Sequence, residues 1–249
     1  MATNKSLKQA VLNKDDEFYT MREDIESILK QYGHIIRGKK IYLPADSPNS
    51  SIFKVLQERK KELDISLVNT WDDFNNHPLL WEEADIIITN PPFSRYRDFY
   101  DLIKQYRKKY IIVGPKLSIT YKTIEEDLCR DLYRAIQPCR RFERPDGTIY
   151  YMGTSTYWWT NIEEIDSRID INEKIAQKDG EAIVDDRGTI VYNRLNEVPR
   201  LASNTTIAVP IDFALYRHDE WEILSTYRPV HEGRKLFRRV LIRRKERPI

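Results

Sequence analysis

The stretch Asp85-Ile86-Ile87-Ile88-Thr89-Asn90-Pro91-Pro92-Phe93 joins a β-branched aliphatic run to a double proline. A short, continuously apolar run of this kind reads as a strand buried on both faces of a parallel sheet. The prolines lack backbone N–H groups and keep the residue before them out of the helical region, so they end the strand. Asn90 to Phe93 is then a stiff loop at the carboxyl end of a strand, where open α/β sheets bind ligands. The Asn90 amide oxygen and the Pro91 carbonyl are acceptors, and Phe93 offers a flat apolar face. Two acceptors beside an aromatic plate suit an exocyclic amino group on a planar ring. An ordinary proline turn after a core strand is the plainer reading of the same residues. The full tetrapeptide behind an aliphatic strand favours the chemical one.

Further strands are expected on either side, at Lys40–Pro44, Asp64–Val68 and Lys109–Gly114, separated by helical patterns. This alternation predicts an α/β fold with a mainly parallel sheet. A first helix is expected from caps at Asp15 and Asp16, through Phe18 and Ile25, to a stop at Gly33. The turn Asp46-Ser47-Pro48-Asn49-Ser50-Ser51 opens a second helix and carries no glycine fingerprint; by itself Asp46 reads as a helix cap. The second strand ends in Asn69, where dinucleotide-binding folds place an acidic residue. Trp71-Asp72-Asp73-Phe74 follows, by itself a solvated turn with a buried aromatic.

Tyr96, Phe99, Leu102, Ile103 and Tyr106 recur at helical spacing, and the cations on or near that helix, Arg95, Arg97, Lys104, Arg107, Lys108 and Lys109, read as a solvated face. Arg140, Arg141 and Arg144 lie in an expected loop with Phe142, ahead of aromatic strands at 148–151 and 156–161. Arginines interleaved with aromatics are a nucleic-acid signature. A hairpin is expected around Asp185–Gly188, a strand at Thr206–Pro210 and a short helix at Glu220–Leu224. The closing segment sets Arg238, Arg239, Arg243 and Arg244 around Val240, Leu241 and Ile242, which suggests a strand with a phosphate-binding basic face.

Composition narrows the class. The 249 residues suffice for one large domain or a core domain with a smaller one, and 41% hydrophobic with 32% charged is ordinary for a globular protein. No stretch has the length of a membrane span, and Met-Ala-Thr-Asn-Lys lacks a signal peptide's apolar core. Cys129 and Cys139 make neither a disulfide framework nor a metal site, and a reducing cytoplasm is the expected location. A net charge of +2 means that a nucleic-acid partner needs local basic patches.

Asn90-Pro91-Pro92-Phe93 resembles the catalytic loop of amino-methyltransferases that use S-adenosylmethionine. Asp16-Glu17-Phe18-Tyr19-Thr20, Tyr42 to Pro48, Ala84 to Phe93, Tyr110 to Gly114, Ser118 to Lys122, Trp158 to Asn161 and Val209-Pro210-Ile211 narrow it. In this order and spacing they are similar to the EcoRI-type adenine-specific DNA methyltransferases. The likeness runs from about Asp15 to Lys245, most densely before Tyr121. The glycine-free turn follows these enzymes; Asn69 departs from the acidic residue usual at that strand end, and the connection between the second and third strands is short relative to the family, which often carries an insertion there.

The resemblance implies a Rossmann-like methyltransferase fold, with a catalytic domain at 1–165 and a C-terminal target-recognition portion at 166–249. It implies that Asn90, Pro91, Pro92 and Phe93 are catalytic. It places Phe18, Tyr19 and Thr20 by the methionine end of S-adenosylmethionine, Asp46 and Pro48 in its first turn, and Asn69 by the ribose. Asp73 would accept from the cofactor's adenine amino group, Phe74 would lie on its ring, and Asn90 would border the cofactor. Arg140, Arg141, Arg144, Arg238, Arg239, Arg243 and Arg244 are the expected DNA contacts. The expected reaction is methyl transfer to the 6-amino group of an adenine flipped out of duplex DNA, as in restriction-modification or phage DNA modification. The leaving group is neutral and activated, so the mechanism needs no metal. A monomer is expected, with a dimer left open. An RNA or protein amine methyltransferase with the same loop is the rival within the enzyme class; a catalytically silent DNA-binding relative is the rival outside it.

Overall fold

The computed structural model describes residues 18–246 apart from Trp71, Pro145, Asp179 and residues 201–203, so the expected caps Asp15 and Asp16 lie outside the described residues. The chain is a mixed α/β protein with several sheets. It divides into two compact units, Met1–Lys116 with Gln137–Ile165, and Leu117–Ile136 with Asp166–Ile249. The segment 117–136 thus groups with Asp166–Ile249 and interrupts the first unit in sequence.

The first unit is built on four parallel strands, β2 (Lys40–Leu43), β3 (Ser66–Asn69), β4 (Ile86–Thr89) and β5 (Lys109–Pro115), in the order β3-β2-β4-β5. An antiparallel strand, β9 (Thr156–Thr160), continues the sheet beside β5. Ile86, Ile87 and Ile88 are all buried, as a continuously apolar central strand requires. Because strand side chains alternate between faces, Ile87 and Ile88 need cover on opposite sides. On one side Ile88 and Ile111 meet Ile25, Ile28 and Tyr32 of α1 (Arg22–Ile36) and Leu56 of α2 (Ser51–Leu63). Elsewhere Tyr42 packs edge-on against Trp81 of α3 (Pro78–Glu83), and Trp81 against Phe99 of α4 (Tyr96–Gln105).

Two local expectations need correction. The first helix starts at Arg22 and runs through Gly33 to Ile36, so Phe18 is not on it. Instead β1 (Tyr19–Thr20) pairs with β7 (Arg141–Glu143), which pairs with β8 (Ile149–Tyr151). The expected loop at 140–147 is therefore partly a strand.

The second unit carries a five-stranded sheet in the order β10 (Ile183–Val184), β11 (Ile190–Val191), β12 (Thr206–Pro210), β16 (Arg239–Arg244), β13 (Trp221–Tyr227). The expected helix at 220–224 is strand β13. Its buried residues Trp221 and Ile223 alternate with the less buried Glu222 and Leu224, a period of two that a short window can mistake for a helix turn. Helix α5 (Lys122–Cys129) belongs to this unit: the Glu125 carboxylate accepts the Thr226 N–H of β13 at 2.5 Å. Among the described residues no helix is long and apolar enough to cross a membrane.

Candidate functional site

Strands β2, β3 and β4 run parallel, so their carboxyl ends share one edge of the sheet. There the turn after β2 buries Asp46 at 3% exposure. The Thr89 hydroxyl donates to the Asp46 carboxylate at 2.5 Å. The Ser50 side chain and the Asn90 backbone N–H are its other donors. Burial pushes the Asp46 carboxyl up to about 6, with those hydrogen bonds pulling the other way. The Asn69 amide donates to the Asp46 carbonyl at 3.1 Å, so the end of β3 is tied to the same turn. Asp46 is not the helix cap; Ser50 is, accepting the Phe53 N–H at 3.0 Å. Pro48 sits exposed on the turn.

The Asn90 side chain has a fixed sense. Its Nδ2 donates to the Phe18 carbonyl at 2.7 Å. An amide's nitrogen and oxygen point in different directions, so this bond turns the oxygen away from Phe18 and leaves it as an acceptor. A carboxamide donor satisfied on one side and an acceptor presented on the other is what an amine recogniser requires. Sequence reasoning missed this partner because it is a backbone carbonyl, which no side-chain identity encodes.

Phe93 is half-buried and touches its neighbours edge-on: Tyr96 at 6.5 Å between ring centroids and Phe142 at 6.4 Å. Tyr96 is fully buried, and its seat depends on Gly114 of β5. A Cβ at Gly114 would stand 2.2 Å from the Tyr96 hydroxyl oxygen. Phe18 in turn packs on Phe142 and on Tyr150, whose ring centroid is 5.3 Å away. The Arg144 guanidinium lies over the Tyr150 ring at 4.8 Å, while Arg140 and Arg141 are exposed beside it. The loop, the 18–20 segment and the β7–β8 hairpin thus form one aromatic cluster with a cationic rim. Thr20 is 2% exposed, and its buried hydroxyl has no hydrogen-bond partner among the described residues. Tyr19 beside it is half-buried.

Asp73 and Phe74 are drawn to the same loop by a residue the sequence reading had assigned to a solvated face. Arg95 donates to the Asp73 carboxylate at 3.1 Å and stacks 4.2 Å from the Phe74 ring centroid. Asp73 also accepts the Asn75 N–H, which holds its carboxyl below the usual range, with Arg95 adding to the effect. Phe74 is buried, packed edge-on against Phe99.

The C-terminal arginines divide. Arg238 is exposed. Arg239 is 6% exposed and donates to Asn193 Oδ1 at 2.8 Å and to the carbonyls of Tyr192, Phe237 and Arg238. Arg243 pairs with Glu222 at 2.7 Å and Arg244 with Glu220 at 2.8 Å.

A family model described as adenine-specific methyltransferase EcoRI matches residues 6–77 and 61–134. The chain is similar to the Type II methyltransferase M.EcoRI of Escherichia coli, 31% identical over 49% of this chain and 52% of that protein. It is 28% identical to M.MgeORF184P of Mycoplasma genitalium over 45% of this chain and 44% of that one. It is 23% identical to M.MpnI of Mycoplasma pneumoniae over 61% of this chain and 62% of that one. Both are named Type II methyltransferases. The chain spans about half the length of the first two of these relatives. The family match covers the turn of Asp46, the loop of Asn90 and the residues between, and on it the chain belongs to the EcoRI-type adenine-specific methyltransferase family.

Proposed function

We propose that this protein is an S-adenosylmethionine-dependent DNA methyltransferase of Rossmann-like type that methylates the 6-amino group of adenine. The observation that carries the proposal is the Asn90 amide, held by the Phe18 carbonyl with its oxygen outward at the end of β4. The Asn90 oxygen and the Pro91 carbonyl accept the two amine protons. Their pull withdraws the nitrogen lone pair from conjugation with the ring and aims it along the transfer direction. Phe93 lies against the base. An amine inside a duplex is paired, so the target adenine leaves the stack first, at a cost of roughly a few kcal/mol. Stacking on Phe93 offsets about 1–3 kcal/mol of that.

The residues fit the cofactor. The buried Thr20 hydroxyl lacks a partner among the described residues and suits the carboxylate of the methionine end. Asn69 Oδ1 and the Asp73 carboxylate are acceptors for a ribose hydroxyl and an adenine amino group. Phe74 reaches an adenine ring only when the Arg95 guanidinium leaves its face. Bound S-adenosylmethionine supplies an activated methyl group and a neutral leaving group. Arg140, Arg141, Arg144 and the exposed Arg238 are the proposed phosphate contacts; the buried Arg239 is not among them.

The test is transfer of labelled methyl to duplex DNA, RNA and protein, with digestion of the DNA to nucleosides. The expected product is N6-methyladenine from DNA alone. Label in RNA or in protein glutamine assigns the loop to another amine; cofactor binding without transfer to any of the three marks a silent relative.

A further inference from the structure

Phe237 is 82% exposed, more than any other large hydrophobic among the described residues. An isolated exposed apolar side chain needs no explanation. This one is held in place. The hairpin of β14 (Val230–His231) and β15 (Arg234–Lys235) precedes it. Asp186 grips that hairpin: its carboxylate accepts the N–H groups of Glu232 at 2.9 Å and Gly233 at 3.1 Å. Its own N–H donates to the Val230 carbonyl at 2.7 Å, and Leu236 N–H closes on the Pro229 carbonyl at 2.9 Å. On the other side the buried Arg239 guanidinium binds the carbonyls of Phe237 and Arg238, both at 3.2 Å. Backbone restraint on both flanks leaves the ring as the part that projects.

The surroundings identify the partner. Arg234, Lys235 and Arg238 are exposed around Phe237, and Glu232 is the sole carboxylate between Val230 and Arg239. A cationic surface repels itself and a basic ligand alike; it suits a polyanion. A flat ring among such cations matches a polyanion that also carries stacked planar groups, which is duplex DNA. We infer that Phe237 inserts at a base step of duplex DNA while Arg234, Lys235 and Arg238 hold the adjoining phosphates. The inference rests on the DNA reading above and adds to it a contact that reads bases through stacking.

Phe237→Ala and Phe237→Trp test it in the full chain. Binding to a mixed-sequence duplex is measured over a range of salt. The linking-number change trapped when ligase closes a nicked plasmid on the protein reports unwinding by insertion. Phe237→Ala is expected to lose roughly 5- to 150-fold in affinity, with an unchanged salt slope and no trapped unwinding. Phe237→Trp keeps both. Because the ring is exposed, thermal unfolding of the variants should match the wild type. Wild-type affinity and unwinding in a folded Phe237→Ala would overturn the inference. So would an affinity loss with a shallower salt slope, or a change in oligomeric state with DNA binding intact. In each of those cases wild-type DNA binding stands; a wild type that binds no DNA removes the DNA reading itself and this inference with it.

Discussion

The edge of the parallel sheet and the β14–β15 hairpin both hold a few residues still, by opposite use of charge. At the sheet edge one buried carboxylate, Asp46, gathers the Thr89 hydroxyl, the Ser50 side chain and the Asn90 N–H. Those donors are consumed internally, and the Asn90 oxygen is left as an acceptor. At the hairpin one buried guanidinium, Arg239, gathers carbonyls, and the cations around it stay exposed. Catalysis by positioning needs the first arrangement, because a group that can relax does not stabilise a transition state. Binding a polyanion needs the second, because its affinity comes from charges free to displace counterions.

The largest effect is expected at Asn90. Asn90→Ala should lower single-turnover methyl transfer about 10²–10³-fold, with binding of cofactor and DNA far less altered. Equal rates would reduce the loop to a turn. Asn90→Asp sharpens the point. A carboxylate would set negative charge against the Phe18 carbonyl, whereas the protonated acid can donate there and still present an oxygen. Its transfer rate should therefore climb as pH falls from 8 to 6, by about tenfold for each unit in which the carboxylate dominates. A pH profile parallel to the wild type would mean that the Phe18 carbonyl does not set the amide's orientation.

The two buried charges come next. The folded protein raises the Asp46 carboxyl to about 6, so it favours the protonated form. The stability this gives is present below the ordinary carboxylate range and is lost as pH rises through about 4 to 6. Asp46→Asn removes that loss, so the variant should gain on the wild type over this window by up to about 3 kcal/mol. A constant difference from pH 4 to 7 would show that Asp46 titrates normally. Arg239→Met should lower unfolding free energy by about 2–3 kcal/mol, since it strips a charged donor from several acceptors. Arg238→Ala should leave stability within about 0.5 kcal/mol and reduce the salt slope of DNA binding by about 1. If the two arginines behave alike, the contrast between clamp and contact fails.

The smallest effect is at Asp73. Its carboxylate already holds Arg95 and Asn75, so Asp73→Ala exchanges one set of partners for another. Cofactor affinity by calorimetry should fall about tenfold. Unchanged affinity in a folded variant takes Asp73 out of the pocket.

Much of this was legible in the chain. The triple isoleucine, the alternating apolar patterns and the double proline give the parallel strands and the loop, because burial on both faces leaves a mark in composition. The Asp46 bolt was only half legible: an Asp after a strand signals a turn, but its link to Thr89 and Asn90 depends on strand order. Arg95 read as solvent-facing because its partners, Asp73 and Phe74, lie 22 and 21 positions earlier. The strand at Trp221 read as a helix because the five residues Glu220–Leu224 cannot separate the two periods. Among the C-terminal arginines the sequence shows charge alone; whether a guanidinium faces solvent or carbonyls is decided by the fold.

The two units exchange chain twice, at Lys116–Leu117 and at Ile136–Gln137, before the passage at Ile165. A second unit grafted between relatives with a single junction at Asp166 would arrive without α5, and so without the Glu125 carboxylate that receives the Thr226 N–H. It would also lack Asp131, which pairs with Arg168 at 2.8 Å. Chimeras that exchange the second unit must therefore transplant 117–136 together with 166–249, as two inserts in one gene.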